Sequence, residues 1–193
     1  MDEDQQKKRN SDEQVKFGTD GIRTTIGNDP LTTSSLIKLG AAIGKWVYET
    51  STTKRVVLGH DTRYSNAFCK AALKTGLFQY PIILSDCGVI PTPILFHRTM
   101  KQDYDAGIMI TASHNPAHDN GIKVFAKKIG KIGKNEESLI LNHFNHNSNL
   151  PFYHQLGQEE LLLDTLSWYT DLLTHQFKKD FLRNIRIAVD CAN

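Results

Sequence analysis

The sequence predicts an α/β fold in which a mostly parallel sheet is covered by helices on both faces. Two observations support this class. From residue 30 onward, short apolar stretches alternate with stretches that have helical periodicity. The apolar stretches have the length of strands, and strands separated by helices are typical of parallel sheets with both faces buried.

Each element follows from a local pattern. Threonine and serine side chains precede the first run of helical spacing, where they can cap its amino end, and two prolines suit the first turn of the third helix. The predicted helices cover residues 31–50, 65–78, 91–102 and 136–144, and the predicted strands cover residues 56–58, 82–84 and 105–110.

The C-terminal part predicts a second, incomplete domain. Residues 145–158 are polar and irregular, which is typical of a linker. Apolar residues recur at helical spacing over 159–182, and residues 185–189 predict another buried strand. Because such a strand needs neighbours on its edges, we expect residues 16–150 to form a first domain, and 151–193 to be the linker, helix and first strand of a second one.

Composition excludes several classes of function. The formal net charge of +2, without a basic stripe, argues against a nucleic-acid partner, and no apolar stretch is long enough to span a bilayer. Residues 1–15 are polar, lack the core of a secretory signal, and predict a disordered tail. The three cysteines are widely spaced, as in a reduced cytoplasmic protein.

The stretch "TASHNPAHDNGIK", residues 111–123, follows the third predicted strand directly. Asn-Pro and Asn-Gly account for turns, but they do not explain Ser113, His114 and Lys123. Ligands bind at the carboxyl ends of strands in such sheets, so these residues are candidates for a site. A Ser113–His114 nucleophile pair is a weak interpretation, because adjacent side chains on an extended segment point to opposite sides. A metal pair of His114 and His118 is also disfavoured, because Pro116 opposes the helix that it needs.

Further motifs occur in the chain together with this stretch: "FGTDGIR" at 17–23, "GHDTR" at 59–63, "PTP" at 91–93 and "IAVDCAN" at 187–193. Their order and spacing resemble the α-D-phosphohexomutase superfamily and, within it, the bacterial phosphoglucosamine mutases. The resemblance covers residues 17–193. It implies an enzyme that interconverts glucosamine 6-phosphate and glucosamine 1-phosphate and feeds the synthesis of UDP-N-acetylglucosamine.

The resemblance also implies roles for individual residues. Ser113 would carry a phosphoryl group, exchange it with a bound sugar phosphate through a bisphosphorylated sugar, and supply one ligand to Mg²⁺. Lys123 would assist proton transfer, Arg23 would pair with phosphate or assist acid–base chemistry, and His114 would orient the loop or take part in the chemistry. Such transfers depend on position and on positive charge, which fits these residue types.

Structural interpretations compete with these roles. Ser113 could be a turn residue, Lys123 an exposed strand lysine, and Arg23 a member of an ordinary ion pair. We expect Arg63 to be no more than a solvated surface residue and leave it out of the site. The superfamily usually has glycine after "GIR", whereas Thr24 follows here, so the loop that carries Arg23 is expected to differ.

Parts of the superfamily pattern have no counterpart in the chain. The magnesium loop, D-x-D-x-D-R, is absent, as are the segments that grip the sugar, so the remaining Mg²⁺ ligands would come from missing C-terminal domains. We therefore expect the chain alone to be inactive. A hexosamine or hexose phosphate is the expected substrate, and neither nucleic acid nor a membrane is an expected partner. The alternatives are a phosphoglucomutase or phosphomannomutase, or a non-catalytic truncated fragment.

Overall fold

The computed structural model describes residues 15–18, 21–146 and 155–190. Of the tail predicted at residues 1–15, all but Val15 lies outside the described residues, and Val15 is partly buried against the hydrophobic core. Part of the predicted linker, residues 147–154, also lies outside them. No helix in the described part of the chain has the length and apolar character needed to cross a membrane.

The fold is built on a seven-stranded sheet. Its strands are β1 (Ile22–Thr25), β2 (Arg55–His60), β3 (Ile83–Val89), β4 (Ala106–Ile110), β5 (Asp119–Ala126), β6 (Gly130–Lys131) and β7 (Gln158–Leu161). In space the order is β1-β5-β4-β2-β3-β7, with β6 paired to β5. The pairs within β4-β2-β3-β7 are parallel, whereas β5 pairs antiparallel with β4, β1 and β6. The predicted parallel sheet thus continues into an antiparallel edge.

Helices cover both faces of the sheet, as predicted. They are α1 (Thr33–Thr50), α2 (Asn66–Leu77), α3 (Thr92–Lys101), α4 (Lys134–His146) and α5 (Thr165–Thr174). Alternate residues of a strand point to opposite faces. Accordingly, Val56 and Leu58 of β2 join the core under α1, α2 and α4, while Val57 joins a second core with Ile94 of α3 and Tyr169 of α5.

The helix ends follow from the capping residues that the sequence offers. The Thr32 hydroxyl caps α1 by accepting from the backbone N–H of Ser35 at 3.3 Å. Pro91 and Pro93 occupy the start of α3, where a missing N–H costs no helical hydrogen bond. The four predicted helices before residue 147 and the three predicted strands are all present, with ends shifted by a few residues.

The long helix predicted over 159–182 is wrong at both ends. Residues Gln158–Leu161 instead form β7, and the helix covers only Thr165–Thr174. The parallel edge of β3 supplies the reason, because the N–H of Leu162 donates to the carbonyl of Asp86 at 2.8 Å. Side chains reinforce the pairing, since Lys74 of α2 binds Glu159 at 2.7 Å.

The buried strand predicted at 185–189 is also wrong for this structure. Residues 185–190 have no regular secondary structure and are exposed. The side chains of Ile185, Ile187 and Val189 face solvent over more than half of their surface. An apolar run becomes a strand only where another strand offers an edge, and no strand in the described ranges pairs with this one.

An arginine under α5 attaches the C-terminal region to the rest of the fold. Arg98 of α3 is 2% exposed, and its Nη2 donates to Asp164 Oδ1 at 2.8 Å. Its guanidinium also lies 4.1 Å from the centre of the Trp168 ring, a distance typical of a cation–π contact. The segment from β7 to α5 therefore packs on the same sheet as the preceding elements.

The helices α1 and α2 approach each other so closely that glycine is required at the contact. A Cβ atom built on Gly40 of α1 would collide with the backbone carbonyl of Leu73, and one on Gly76 of α2 would collide with that of Ile37. Backbone atoms cannot rotate aside as a side chain can, so the two glycines fix the distance between the helices.

We expect Gly40→Ala to lower the free energy of unfolding by about 1–3 kcal/mol, because the added methyl group overpacks this contact. In an isolated helix the same change is stabilising by about 1 kcal/mol, so the sign of the effect is diagnostic. Urea denaturation measures it. Gly133→Ala is the control, since its Cβ would meet only the Glu136 carboxylate, at 3.3 Å, and unchanged stability in Gly40→Ala would contradict the prediction.

Candidate functional site

The candidate site is the loop that joins β4 to β5 at the carboxyl end of β4, residues 111–118, which we call the serine loop. Three backbone hydrogen bonds fold it back on itself. Thr111 donates its N–H to Gly121 at 2.9 Å, Asn115 donates to Ala112 at 3.1 Å, and Asp119 donates to Pro116 at 3.1 Å. The loop therefore reverses the chain tightly at the edge of the sheet.

Ser113 occupies the exposed turn of this loop. Its φ is +58°, in the left-handed region that non-glycine residues seldom adopt. Its backbone N–H donates to Thr111 Oγ1 at 2.9 Å, and its own Oγ lies 3.4 Å from His114 Nδ1. The expectation that the Ser113 and His114 side chains point to opposite sides is wrong, because Ser113 is not extended.

Arg23 and Lys123 share one face of the sheet next to the serine loop. Arg23 of β1 lies opposite Gly121 of β5, and Lys123 lies two residues further along β5, so both side chains project to the same side. Both residues are half-buried. The structure brings Arg23 to the loop directly, where its Nη1 lies 3.5 Å from Asn115 Oδ1.

Threonine after the "GIR" segment contributes to the site. The Thr25 hydroxyl donates to Asp119 Oδ1 at 2.8 Å, and Asn115 Nδ2 donates to Asp119 Oδ2 at 3.0 Å. These two hydrogen bonds hold the pKa of the Asp119 carboxyl below its usual range, because they stabilise the ionised form. Asp119 thus joins β1 to the serine loop.

Arg63 is the residue that the sequence interpretation missed. It is not a solvated surface residue: its side chain is 11% exposed and ion-pairs with Asp61 at 3.1 Å. The guanidinium also donates to four backbone carbonyls of the loop and its end, at 2.6 Å to Pro116, 2.9 Å to Asp119, 3.0 Å to Ser113 and 2.7 Å to Asn115. The signal was the position of "GHDTR" at the carboxyl end of β2, the parallel neighbour of β4.

Asp61 connects Arg63 to the start of the serine loop. It accepts from the hydroxyl of Thr111 at 2.6 Å and from Asn66 Nδ2 at 2.8 Å. Partial burial by itself raises the pKa of Asp61, but the hydrogen bonds from Asn66 and Thr111 outweigh it and the pKa is lowered. Asn120 of β5 extends the network by donating to Asn66 Oδ1 at 2.8 Å.

The described residues do not fit a magnesium site by themselves. Within those ranges no group of three or more His, Cys, Asp or Glu side chains could hold a metal ion. Ser113 offers one exposed oxygen, while the nearby carboxylates of Asp61 and Asp119 already accept hydrogen bonds from the loop and its neighbours.

Comparison with known proteins places this geometry in a family. The family model described as "Phosphoglucomutase/phosphomannomutase, alpha/beta/alpha domain I" matches residues 14–151. A phosphoglucosamine mutase of Acinetobacter baylyi is 39% identical over 180 residues, which are 92% of this chain and 41% of that protein. One of Vibrio campbellii is 36% identical over 184 residues. The chain spans about 40% of the length of the curated relatives that it matches.

Solved structures show the same fold. A putative phosphomannomutase from Thermus thermophilus superposes with a TM-score of 0.68 at 28% identity, over 84% of this chain and 36% of that one. A phosphoglucomutase/phosphomannomutase family protein from Burkholderia thailandensis superposes with a TM-score of 0.69. At 24% identity, over 86% of this chain and 36% of that one, the second likeness concerns the fold alone.

We expect Asp61→Asn to lower the free energy of unfolding at neutral pH by about 1–3 kcal/mol, the range for losing a hydrogen bond to a charged group. It should also flatten the acid dependence. Because the pKa of Asp61 is lower in the folded state, its stabilisation is complete above the ordinary value of 3.8 and is lost as the pH falls through the folded pKa.

Urea denaturation at neutral and at acid pH measures both effects. Asp103→Asn is the matched control, since the Asp103 side chain is 90% exposed and makes only a 3.5 Å contact with Lys127. A variant at position 61 as stable as the control variant at both pH values would contradict the role of Asp61.

Proposed function

The chain belongs to the phosphoglucomutase/phosphomannomutase family, and from this premise we propose that it is the phosphoserine-bearing N-terminal part of a phosphosugar mutase. The whole enzyme would interconvert glucosamine 6-phosphate and glucosamine 1-phosphate. The observation that carries the proposal is Ser113, exposed at a left-handed position beyond the carboxyl end of β4 and held there from both sides of its backbone. The choice of glucosamine rests on relatives named phosphoglucosamine mutase.

In the proposed reaction, the phosphoryl group on Ser113 moves to a free hydroxyl of the bound sugar phosphate. The bond from phosphorus to the serine oxygen breaks, the bond to the sugar oxygen forms, the sugar hydroxyl proton passes to a base, and the serine oxygen takes up a proton as it becomes a hydroxyl. The bisphosphorylated sugar then turns over in the site and returns its other phosphoryl group to Ser113, with the protons moving in the opposite sense. The second transfer restores the phosphoserine, so the net result is an isomerisation.

The neighbouring residues take the remaining roles in this proposal. Lys123 acts as the base, and its position on β5, on the same face of the sheet as Arg23 and next to the serine loop, supports this. Arg23, next to Asn115 of the loop, offsets negative charge on the transferred group. His114 orients the serine, whose Oγ lies 3.4 Å from its ring nitrogen.

The cofactor and the domain arrangement belong to the same proposal. Ser113 would supply one ligand to Mg²⁺, which stabilises the transferred charge when bound, and its carboxylate ligands would come from other domains of the enzyme. Residues 16–150, together with β7 and α5 on the same sheet, would be the domain that carries the phosphoserine, and the residues after α5 would be the beginning of the next one. A cytoplasmic location is the expected setting for such a reduced, sugar-processing protein.

The second candidate is a mutase of the same family that acts on glucose or mannose phosphates. It is favoured by the likeness to the Thermus thermophilus structure, which is named a putative phosphomannomutase. The non-catalytic truncated fragment remains the alternative from another class. The chimera described next separates the non-catalytic alternative from the first candidate, and an assay of the full-length parent enzyme with the three sugar phosphates separates the two mutase candidates.

We expect a chimera, in which this chain replaces the matching 41% of the Acinetobacter baylyi phosphoglucosamine mutase, to isomerise glucosamine phosphate. Changing Ser113→Ala in it should lower turnover at least about a thousandfold, the scale on which loss of a nucleophile acts. Ser34→Ala, at an exposed serine on α1, is the matched control and should keep full turnover. A folded chimera without activity, or an active Ser113→Ala form, would refute the proposal.

We expect the 193-residue chain alone to show negligible isomerisation of glucosamine, glucose and mannose phosphates. The physical reason is that no cluster of carboxylates among the described residues could hold the cation that the transfer needs. A coupled assay with each of the three sugar phosphates measures it, and the chimera serves as the positive control. Robust turnover by the chain alone would show that its own residues complete the site.

A further inference from the structure

We propose that Arg63 is the positioning residue of the serine loop, and that it holds Ser113 in its left-handed conformation without binding phosphate itself. The inference rests on the proposed function, because it concerns how the phosphoserine is presented. It is supported by the hydrogen bonds that the Arg63 and Asp61 side chains make and by the backbone conformation of Ser113.

The guanidinium of Arg63 has no donor left for a ligand. An arginine side chain has five N–H donors in one plane. The Nε donates to Asp61 Oδ2, and the four N–H groups on Nη1 and Nη2 are matched by the four carbonyls of the loop and its end. A phosphate oxygen could bind only by displacing one of them, in a side chain that is 11% exposed.

The acceptor sites of the Asp61 carboxylate are likewise all occupied. Its Oδ1 accepts from the backbone N–H of Arg63 at 3.0 Å and from Asn66, and its Oδ2 accepts from Arg63 Nε and from the hydroxyl of Thr111. Two carboxylate oxygens have about four acceptor sites, so none remains for a metal ion or substrate. The Arg63–Asp61 pair is therefore closed to ligands and neutral as a unit.

The pair fixes both sides of the Ser113 backbone. The carbonyl of Ser113 accepts from Arg63 Nη2, while the N–H of Ser113 donates to Thr111 Oγ1, which itself donates to Asp61. A left-handed φ of +58° costs of the order of 1–3 kcal/mol for a non-glycine residue and persists only where its surroundings enforce it. Arg63 and Asp61 hold Ser113 in this conformation, and they therefore set the direction of its side-chain oxygen.

Lysine cannot replace arginine in this position. Its ammonium group has three donors around one nitrogen, so it cannot reach four carbonyls and a carboxylate that are arranged around a planar fork. Arg63→Lys therefore keeps the positive charge and removes the geometry, which separates positioning from simple electrostatics.

The test uses the full 193-residue chain and amide hydrogen exchange followed by NMR. In Arg63→Lys we expect exchange at Ser113, Asn115 and Asp119 to accelerate at least about tenfold, the effect of losing one hydrogen bond to a charged group. Exchange in β2 should stay unchanged. Arg55→Lys, which alters a surface ion pair with Glu160, is the matched control and should leave the serine loop as it is.

Two spectroscopic readouts separate positioning from general stability. The intraresidue NOE between the N–H and Hα of Ser113 is strongest at positive φ, where these two hydrogens are closest, and we expect it to weaken in Arg63→Lys. In the unaltered chain, titration with inorganic phosphate should leave the Arg63 Nε–H signal in place. Thr111→Val is a milder variant of the same network, and it should accelerate exchange at Ser113 even if Arg63→Lys does not fold.

Each outcome decides the proposal. Unchanged loop exchange and an unchanged Ser113 NOE in Arg63→Lys would overturn it, as would unchanged Ser113 exchange in Thr111→Val or a phosphate-dependent shift of the Arg63 signal. None of these measurements requires Ser113 to be phosphorylated. An inactive chimera would therefore refute the proposed function and leave the positioning role to be decided by the exchange data.

Discussion

The ion pair of Arg63 with Asp61 is the interaction on which the candidate site depends. It lies at the end of β2, and it holds a loop 50 residues further along the chain. The contact is possible because parallel neighbours end at the same edge of a sheet, and the N–H of Asp61 itself donates to the carbonyl of Ile110 at 3.1 Å. The sheet thus does more than carry Ser113: the pairing of β2 with β4 supplies the groups that shape its loop.

Local pattern was enough to predict the α/β class, four helices and the position of the serine loop, because each leaves a mark in contiguous residues. It was not enough for Arg63, whose partners are mostly backbone carbonyls, which every residue carries. The same holds for Thr25, the second residue after "GIR", which binds Asp119 from another strand. A side chain that binds residues far along the chain produces no periodic pattern in the sequence, so its role is visible only once the sheet has formed.

In the C-terminal region, the local sequence pattern predicted the wrong element at two segments. Residues 159–161 have a helical pattern, yet they belong to β7, because the edge of β3 binds their backbone and Arg55 and Lys74 pair with Glu160 and Glu159. Residues 185–189 have a strand pattern, yet they stay irregular, because no described strand offers them an edge. Whether a segment forms a strand depends on the strand that pairs with it, and a short stretch of sequence does not contain that pairing strand.

The donors and acceptors of the Arg63–Asp61 pair are all occupied by hydrogen bonds within the protein. On the proposed function, the positive charge for phosphoryl transfer therefore has to come from other residues. Arg63 is the cation with the most contacts to the serine loop, but its donors are all engaged, and the charge of Asp61 cancels its own. Among the described residues beside the loop, Arg23 then has to carry the electrostatic role, because Lys123 serves as the base on the proposed function. A phosphoryl group in transfer spreads negative charge over three oxygens, which one half-buried cation covers only in part. On the proposed function, this chain therefore fixes the geometry of the reaction, and the rest of the enzyme supplies most of the charge.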